Sequence, residues 1–122
     1  MTIAELYIKI GGNYREVLSR LGNDRIIERF IRRFAEEKTF DRLQEAYTSN
    51  DEKKIFNEIC TFVEVCRSLS LSRLEETAGV IMEAYRPENA GSRDKFHVAD
   101  LFDTLFEQYS VTITVIEEAM DI

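Results

Sequence analysis

The chain has 122 residues, a length that fits one domain burying about two-thirds of its unfolded surface. Hydrophobic residues make up 44%, with eight Phe and five Tyr, so a packed core is expected rather than disorder. The net charge of -7 argues against nucleic acid as a partner, because phosphate binding needs clustered excess Lys and Arg.

One proline and five glycines leave few places where the chain must break, and most of it shows helical periodicity. A short first helix is predicted over about Ile3 to Ile10, stopped by Gly11-Gly12. Asn13 caps a second, "YREVLSRL", which ends at Gly22. Asn23 or Asp24 starts a third, whose Ile26, Ile27, Phe30, Ile31 and Phe34 form a broad stripe expected to be buried. Thr39 precedes "FDRLQEAYTS", with Phe40, Leu43 and Tyr47 on one face. Asp51 caps a long central helix with Phe56, Ile59, Phe62, Cys66 and Leu69 inward, flanked by Ile55 and Val63. Ser72 followed by Glu75 has the pattern of a capping box opening the next helix, which carries Leu74, Ala78, Ile81 and Tyr85. Pro87 and "ENAGSRDK" are expected to form a loop, and a last helix starts near Phe96. Within it, "VTITVI" suits a strand by propensity, but it has no second strand to pair with and is therefore read as helix. The expected fold is all-α: an antiparallel up-down four-helix bundle with short additional amino-terminal helices, in one domain over residues 1–122.

No apolar run approaches the ~20 residues of a membrane span, and "MTIAELYIKI" carries acid rather than a basic signal region. Cys60 and Cys66 share one predicted helix and point in different directions, so they cannot bridge each other. These features lead to the expectation of a cytoplasmic protein without membrane contact.

On a wheel of about 100° per residue, Lys53, Asn57, Cys60, Glu64 and Arg67 fall opposite the inward face of the central helix. Val63 lies at the edge and is expected to meet water in part. A stripe of this kind is ordinarily a solvated surface. Zinc needs three or four clustered ligands, whereas the chain has a single histidine, His97, so no metal and no cofactor are expected. Nucleophilic catalysis by Cys60 would need a cation or imidazole nearby, but its neighbours in sequence are Glu58 and Glu64. Arg29, Arg32 and Arg33 interleave with Glu28, Glu36 and Glu37, the spacing of helix-face ion pairs. Gly11-Gly12 lacks the Lys and Ser/Thr that would make it a phosphate loop.

Two segments resemble single-domain bacterial histidine-containing phosphotransfer (HPt) proteins: "LYIKIGGNYREVLSRLGNDRIIERFIRRF" and "FDRLQEAYTSNDEKKIFNEICTFVEVCRSLSLSRLEETAGVIMEAYR". The family's signature is a His-x-Leu-Lys-Gly run on the central helix. Aligned on Phe56 and Leu69, Cys60 stands at the His, Phe62 at the Leu, Val63 at the Lys and Glu64 at the Gly. The resemblance implies an imidazole that exchanges a phosphoryl group with a receiver aspartate, a Lys that neutralises the moving charge, and a Gly that makes room. Cys60, Val63 and Glu64 supply none of these. Glu64 would also meet the receiver's acidic pocket, a like-charge contact costing about 1–4 kcal/mol.

The resulting expectation is a non-enzymatic pseudo-phosphotransfer protein that binds a response-regulator receiver domain or histidine-kinase module without relaying phosphate. Its contact would involve Asn57, Cys60, Thr61, Val63, Glu64 and Arg67. Two other readings stay open: a helical interaction domain that kept only the bundle, its acidic carboxyl-terminal segment serving a basic partner, and a phosphotransferase using His97.

Overall fold

Local chemistry sets most helix boundaries. The Thr2 hydroxyl accepts from the Glu5 N–H at 3.1 Å and the Glu5 carboxylate accepts from the Thr2 N–H at 3.2 Å, a reciprocal cap that opens α1 (Ile3–Ile10). Asn13, Asn23 and Asp51 cap α2 (Tyr14–Leu21), α3 (Asp24–Glu36) and α5 (Glu52–Ser68), each side-chain oxygen accepting from the N–H three residues on. The computed structural model describes residues 1–122, with α4 (Thr39–Thr48), α6 (Ser72–Ala84) and α7 (Val98–Met120) completing seven α-helices and no strand.

Three expectations are corrected here. Ser72 does not cap α6: it is already helical, Leu71 holds the cap position, and the Ser72 hydroxyl donates to the Ser70 carbonyl at 3.4 Å. Pro87–Phe96 is not an open loop but a kinked 3₁₀ segment. It is held by Arg93, whose guanidinium lies 4.4 Å from the Tyr85 ring centre and donates to the Ala84 carbonyl and the Glu52 carboxylate at 3.1 and 2.5 Å. Phe30 is 37% exposed with the Arg33 guanidinium over its ring, while Ile27, Ile31 and Phe34 carry the buried stripe of α3. The β-branched run Val111–Ile116 is helical as expected. The Thr112 and Thr114 hydroxyls donate to the carbonyls of Gln108 and Ser110, at 2.7 and 3.0 Å, so their polarity is absorbed by the helix itself.

α5 packs between α4 and α6, each joined to it by a three-residue turn as a helical hairpin. α7 packs on α6 and α3, and α1 lies across α7, α2 and α3. Aromatic rings bind α4 to α7: Phe40 stacks on Tyr109 with centroids 3.7 Å apart, and Tyr47 on Phe102 at 3.9 Å. Phe62 of α5 is fully buried in this set, its ring 5.5 Å from Phe40 and 6.1 Å from Tyr109. That wedge fixes the rotation of α5, and with it the residues left facing outward.

The turn between α5 and α6 is fixed by the turn between α1 and α2. Gly11 is left-handed at φ 71°, and Gly12 lies so close that a Cβ there would meet the Tyr7 ring at 2.6 Å and the Ser70 carbonyl at 3.1 Å. The Tyr7 hydroxyl donates to the Leu69 carbonyl at 2.8 Å, the Asn13 N–H to the Ser70 carbonyl at 2.8 Å, and the Arg73 N–H to the Gly11 carbonyl at 3.1 Å. Ser70 is buried in a left-handed conformation, φ 53°, which costs a non-glycine residue about 1–2 kcal/mol. Its hydroxyl offsets that cost by donating to Glu16 at 2.7 Å and accepting from the Arg20 guanidinium.

Gly12→Ala is expected to destabilise the chain by about 1–3 kcal/mol through overpacking. Tyr7→Phe should lose about 1–3 kcal/mol by stranding the buried Leu69 carbonyl. Urea-unfolding midpoints check both, and midpoints at the wild-type value would show that the two turns are not coupled.

Candidate functional site

With Phe62 pointing inward, α5 presents Asn57, Thr61, Glu64 and Arg67 to solvent and Cys60 half-buried between them. Five of the six residues singled out in the sequence therefore lie on one accessible face. Val63 does not: it is 2% exposed, and this corrects the expectation that it meets water in part on the contact face. It sits one turn from Ile59 and Cys66, on the flank that α6 covers, so packing claims the edge position. Replacing Val63 with Asp would bury an unpaired carboxylate, and would report on folding rather than docking.

The polar groups on this face are mostly spoken for. The Thr61 hydroxyl donates to the Asn57 carbonyl at 3.2 Å, inside the helix. Glu58 turns towards α4, where its carboxylate accepts from the Arg42 guanidinium at 3.2 Å. Arg67 reaches across to α6 and donates to Glu75 at 2.9 Å, while its carbonyl accepts from Arg20 at 3.3 Å. Glu64 has no ion-pair partner.

Burial pushes the Cys60 thiol above its ordinary value of 9.0; the Arg86 guanidinium opposes the shift and the Glu64 carboxylate adds to it. The sulfur is therefore a protonated, weakly nucleophilic thiol at neutral pH. Cys66 is wholly buried and its thiol is pushed up further by desolvation. His97 holds the cap position of α7 in a left-handed conformation, φ 51°, and is exposed. It lines a depression of about 410 Å³ with Asn50, Glu52 and Arg93. Glu52 opens α5, two turns and about 12 Å along the helix from Cys60. No three His, Cys, Asp or Glu side chains converge to hold a metal ion, and no helix is long and apolar enough to cross a membrane.

Beside this face runs a groove that sequence reasoning missed. Val63 forms part of its floor, with Gly79 and Val80 of α6 and Phe96 of the 3₁₀ segment, and Arg67, Glu75, Glu76 and Glu83 stand at its rim. It encloses about 620 Å³. The legible signal was Val80: Leu74, Ala78 and Ile81 face the core, which turns Val80 outward, 41% exposed. Compared with protein families, curated proteins and solved structures, the chain matches none.

Alkylation of Cys60 by iodoacetamide should be slower at neutral pH than that of a free thiol, and its rate should still be climbing as pH rises through 9.0. The sign follows from the shift: a raised value leaves less thiolate at any pH below it. A rate that levels off below pH 9.0 would mean that the site activates its thiol after all.

Proposed function

We propose that the chain is a pseudo-phosphotransfer protein, which docks a response-regulator receiver domain or a histidine-kinase module and relays no phosphate. On this reading α4 to α7, joined by short turns, form the antiparallel up-down four-helix bundle of an HPt domain, and α1 to α3 are its added amino-terminal helices. The reading starts from the resemblance of the two long segments to HPt proteins. One observation carries it further. Where that family aligns an imidazole and a charge-neutralising Lys, this chain has a half-buried thiol that nothing nearby activates and a valine covered by α6.

The chemistry is lost while the surface remains. Phosphoryl transfer relies on positioning and charge stabilisation, and the aligned positions hold neither a prepared nucleophile nor the neutralising Lys, where Val63 stands instead. Arg67 is engaged by Glu75, and the unpaired charge beside Cys60 is the Glu64 carboxylate. Asn57, Cys60, Thr61, Glu64 and Arg67 still make a continuous stripe that a partner's surface can cover.

Calorimetric titration against the receiver domains and kinase modules of the same genome, each receiver with and without beryllofluoride, is the test. Saturable binding to one or a few partners is expected, with no phosphate appearing on this chain after incubation with the phosphorylated receiver. Phosphate on the protein would contradict the loss of transfer, and silence across the whole set would contradict the docking role.

A further inference from the structure

Gly79 is the observation that points beyond a flat docking face. It lies in the interior of α6, where glycine costs about 1 kcal/mol relative to alanine. Close packing does not explain it, because nothing lies within 4 Å of where its Cβ would stand. Its left- and right-handed freedom is not used either, since its backbone is helical. What its missing side chain does is leave the groove between α5 and α6 open, next to Val63, Val80 and Phe96.

We propose that this groove receives an amphipathic helix of the partner protein, carrying an aliphatic side chain into the space beside Gly79 and basic side chains on its flanks. The inference rests on the reading above that the α5 face docks a partner, and adds the element and the chemistry of what binds there. Three features favour this occupant. The cleft lies between packed helices on a molecule that has no strand edge to extend, so it suits a helix lying along it. Glu76, Gly79, Val80 and Glu83 follow at helical spacings along α6, which gives an apolar centre with acid at both ends.

Charge complementarity supplies the third. Arg67 satisfies Glu75 at 2.9 Å, and Arg86 satisfies Glu83 at 2.7 Å. Glu76 and Glu64 are left without an ion-pair partner. No lysine lines the groove, and Lys95, next to Phe96 in sequence, lies over that ring at 5.1 Å. An occupant with Lys or Arg on its flanks meets Glu76 at the rim and Glu64 on the adjoining α5 face, whereas one with acidic flanks is repelled.

The full-length chain is titrated with a designed amphipathic peptide that has leucines on one face and lysines on its flanks, and with its twin carrying glutamates for the lysines. NMR amide shifts are followed in the wild type and in Gly79→Leu, a substitution that favours the helix and fills the groove, and whose circular dichroism verifies folding. The lysine peptide is expected to shift the amides of Val63, Gly79 and Val80. Its affinity should fall by about tenfold or more in Gly79→Leu, and the glutamate twin should bind at least about tenfold more weakly. Unperturbed groove amides, equal binding by Gly79→Leu, or equal binding of the two peptides would overturn the proposal. So would groove amides that shift on simple dilution of the protein, because a second copy would then be the occupant.

Receiver and kinase-module titrations of Gly79→Leu separate this inference from the one it rests on. Partner binding that survives the filled groove refutes the helix-docking site and leaves the pseudo-phosphotransfer reading standing. Peptide binding at the groove with no receiver or kinase module bound does the reverse.

Discussion

The contact between the Gly11-Gly12 turn and the Leu69–Arg73 turn is the constraint on which the rest of this structure depends. Two glycines let the backbones approach until Tyr7, Asn13 and Arg73 can bond directly to the opposite turn. The α5–α6 hairpin is thereby held at its closed end, with Ser70 buried in a conformation that its bonds to Glu16 and Arg20 maintain. From that end the two helices run side by side, and Phe62, set among Phe34, Phe40 and Tyr109, fixes how α5 is rotated. Everything on the outward face, from Asn57 to Arg67, inherits its position from these two devices.

The electrostatics of that face oppose nucleophilic chemistry at Cys60. Desolvation and Glu64 raise the Cys60 thiol above its ordinary value, and Arg86 pulls the other way. The arginines nearby are engaged with Glu75 and Glu83, and such exposed pairs stabilise by at most about 1 kcal/mol each. Their effect is on the surface: they cancel charge at two points and leave Glu64 and Glu76 as the open carboxylates. On the proposed reading, this acidic face beside an apolar groove meets a partner bearing cations around an aliphatic anchor. In the pseudo-phosphotransfer reading, the same substitutions that remove the transfer chemistry create this preference.

Much of the fold was legible because glycine, asparagine and aspartate act locally. Gly11, Gly22, Asn13, Asn23 and Asp51 end or open helices through their own backbone or side-chain bonds, and a sequence displays them directly. Where tertiary contacts decide, the pattern misled. Ser72 and Glu75 have capping-box spacing, but the α5–α6 turn draws Ser72 into the helix and leaves Leu71 at the cap. The polar run after Pro87 is ordered by the Arg93 contacts to Tyr85, Ala84 and Glu52, none of which is adjacent to it. Val63 sits at an edge on the helical wheel, and only the packing of α6 decides that it is covered. The groove was hidden for the same reason: Val63, Gly79 and Phe96 belong to three elements whose juxtaposition no local rule contains.

If, as proposed, the α5 face is a phosphotransfer site disabled by a few side chains, restoring those side chains should restore transfer. The most direct measurement is made on the triple variant Cys60→His, Val63→Lys, Glu64→Gly. The glycine costs about 1 kcal/mol of helix stability and the lysine enters a covered position, so circular dichroism first verifies that the variant is folded. Incubated with the phosphorylated form of a receiver that the wild type binds, the variant should acquire acid-labile phosphate on the introduced imidazole. A folded variant that still binds the receiver and takes up no phosphate would contradict the claim.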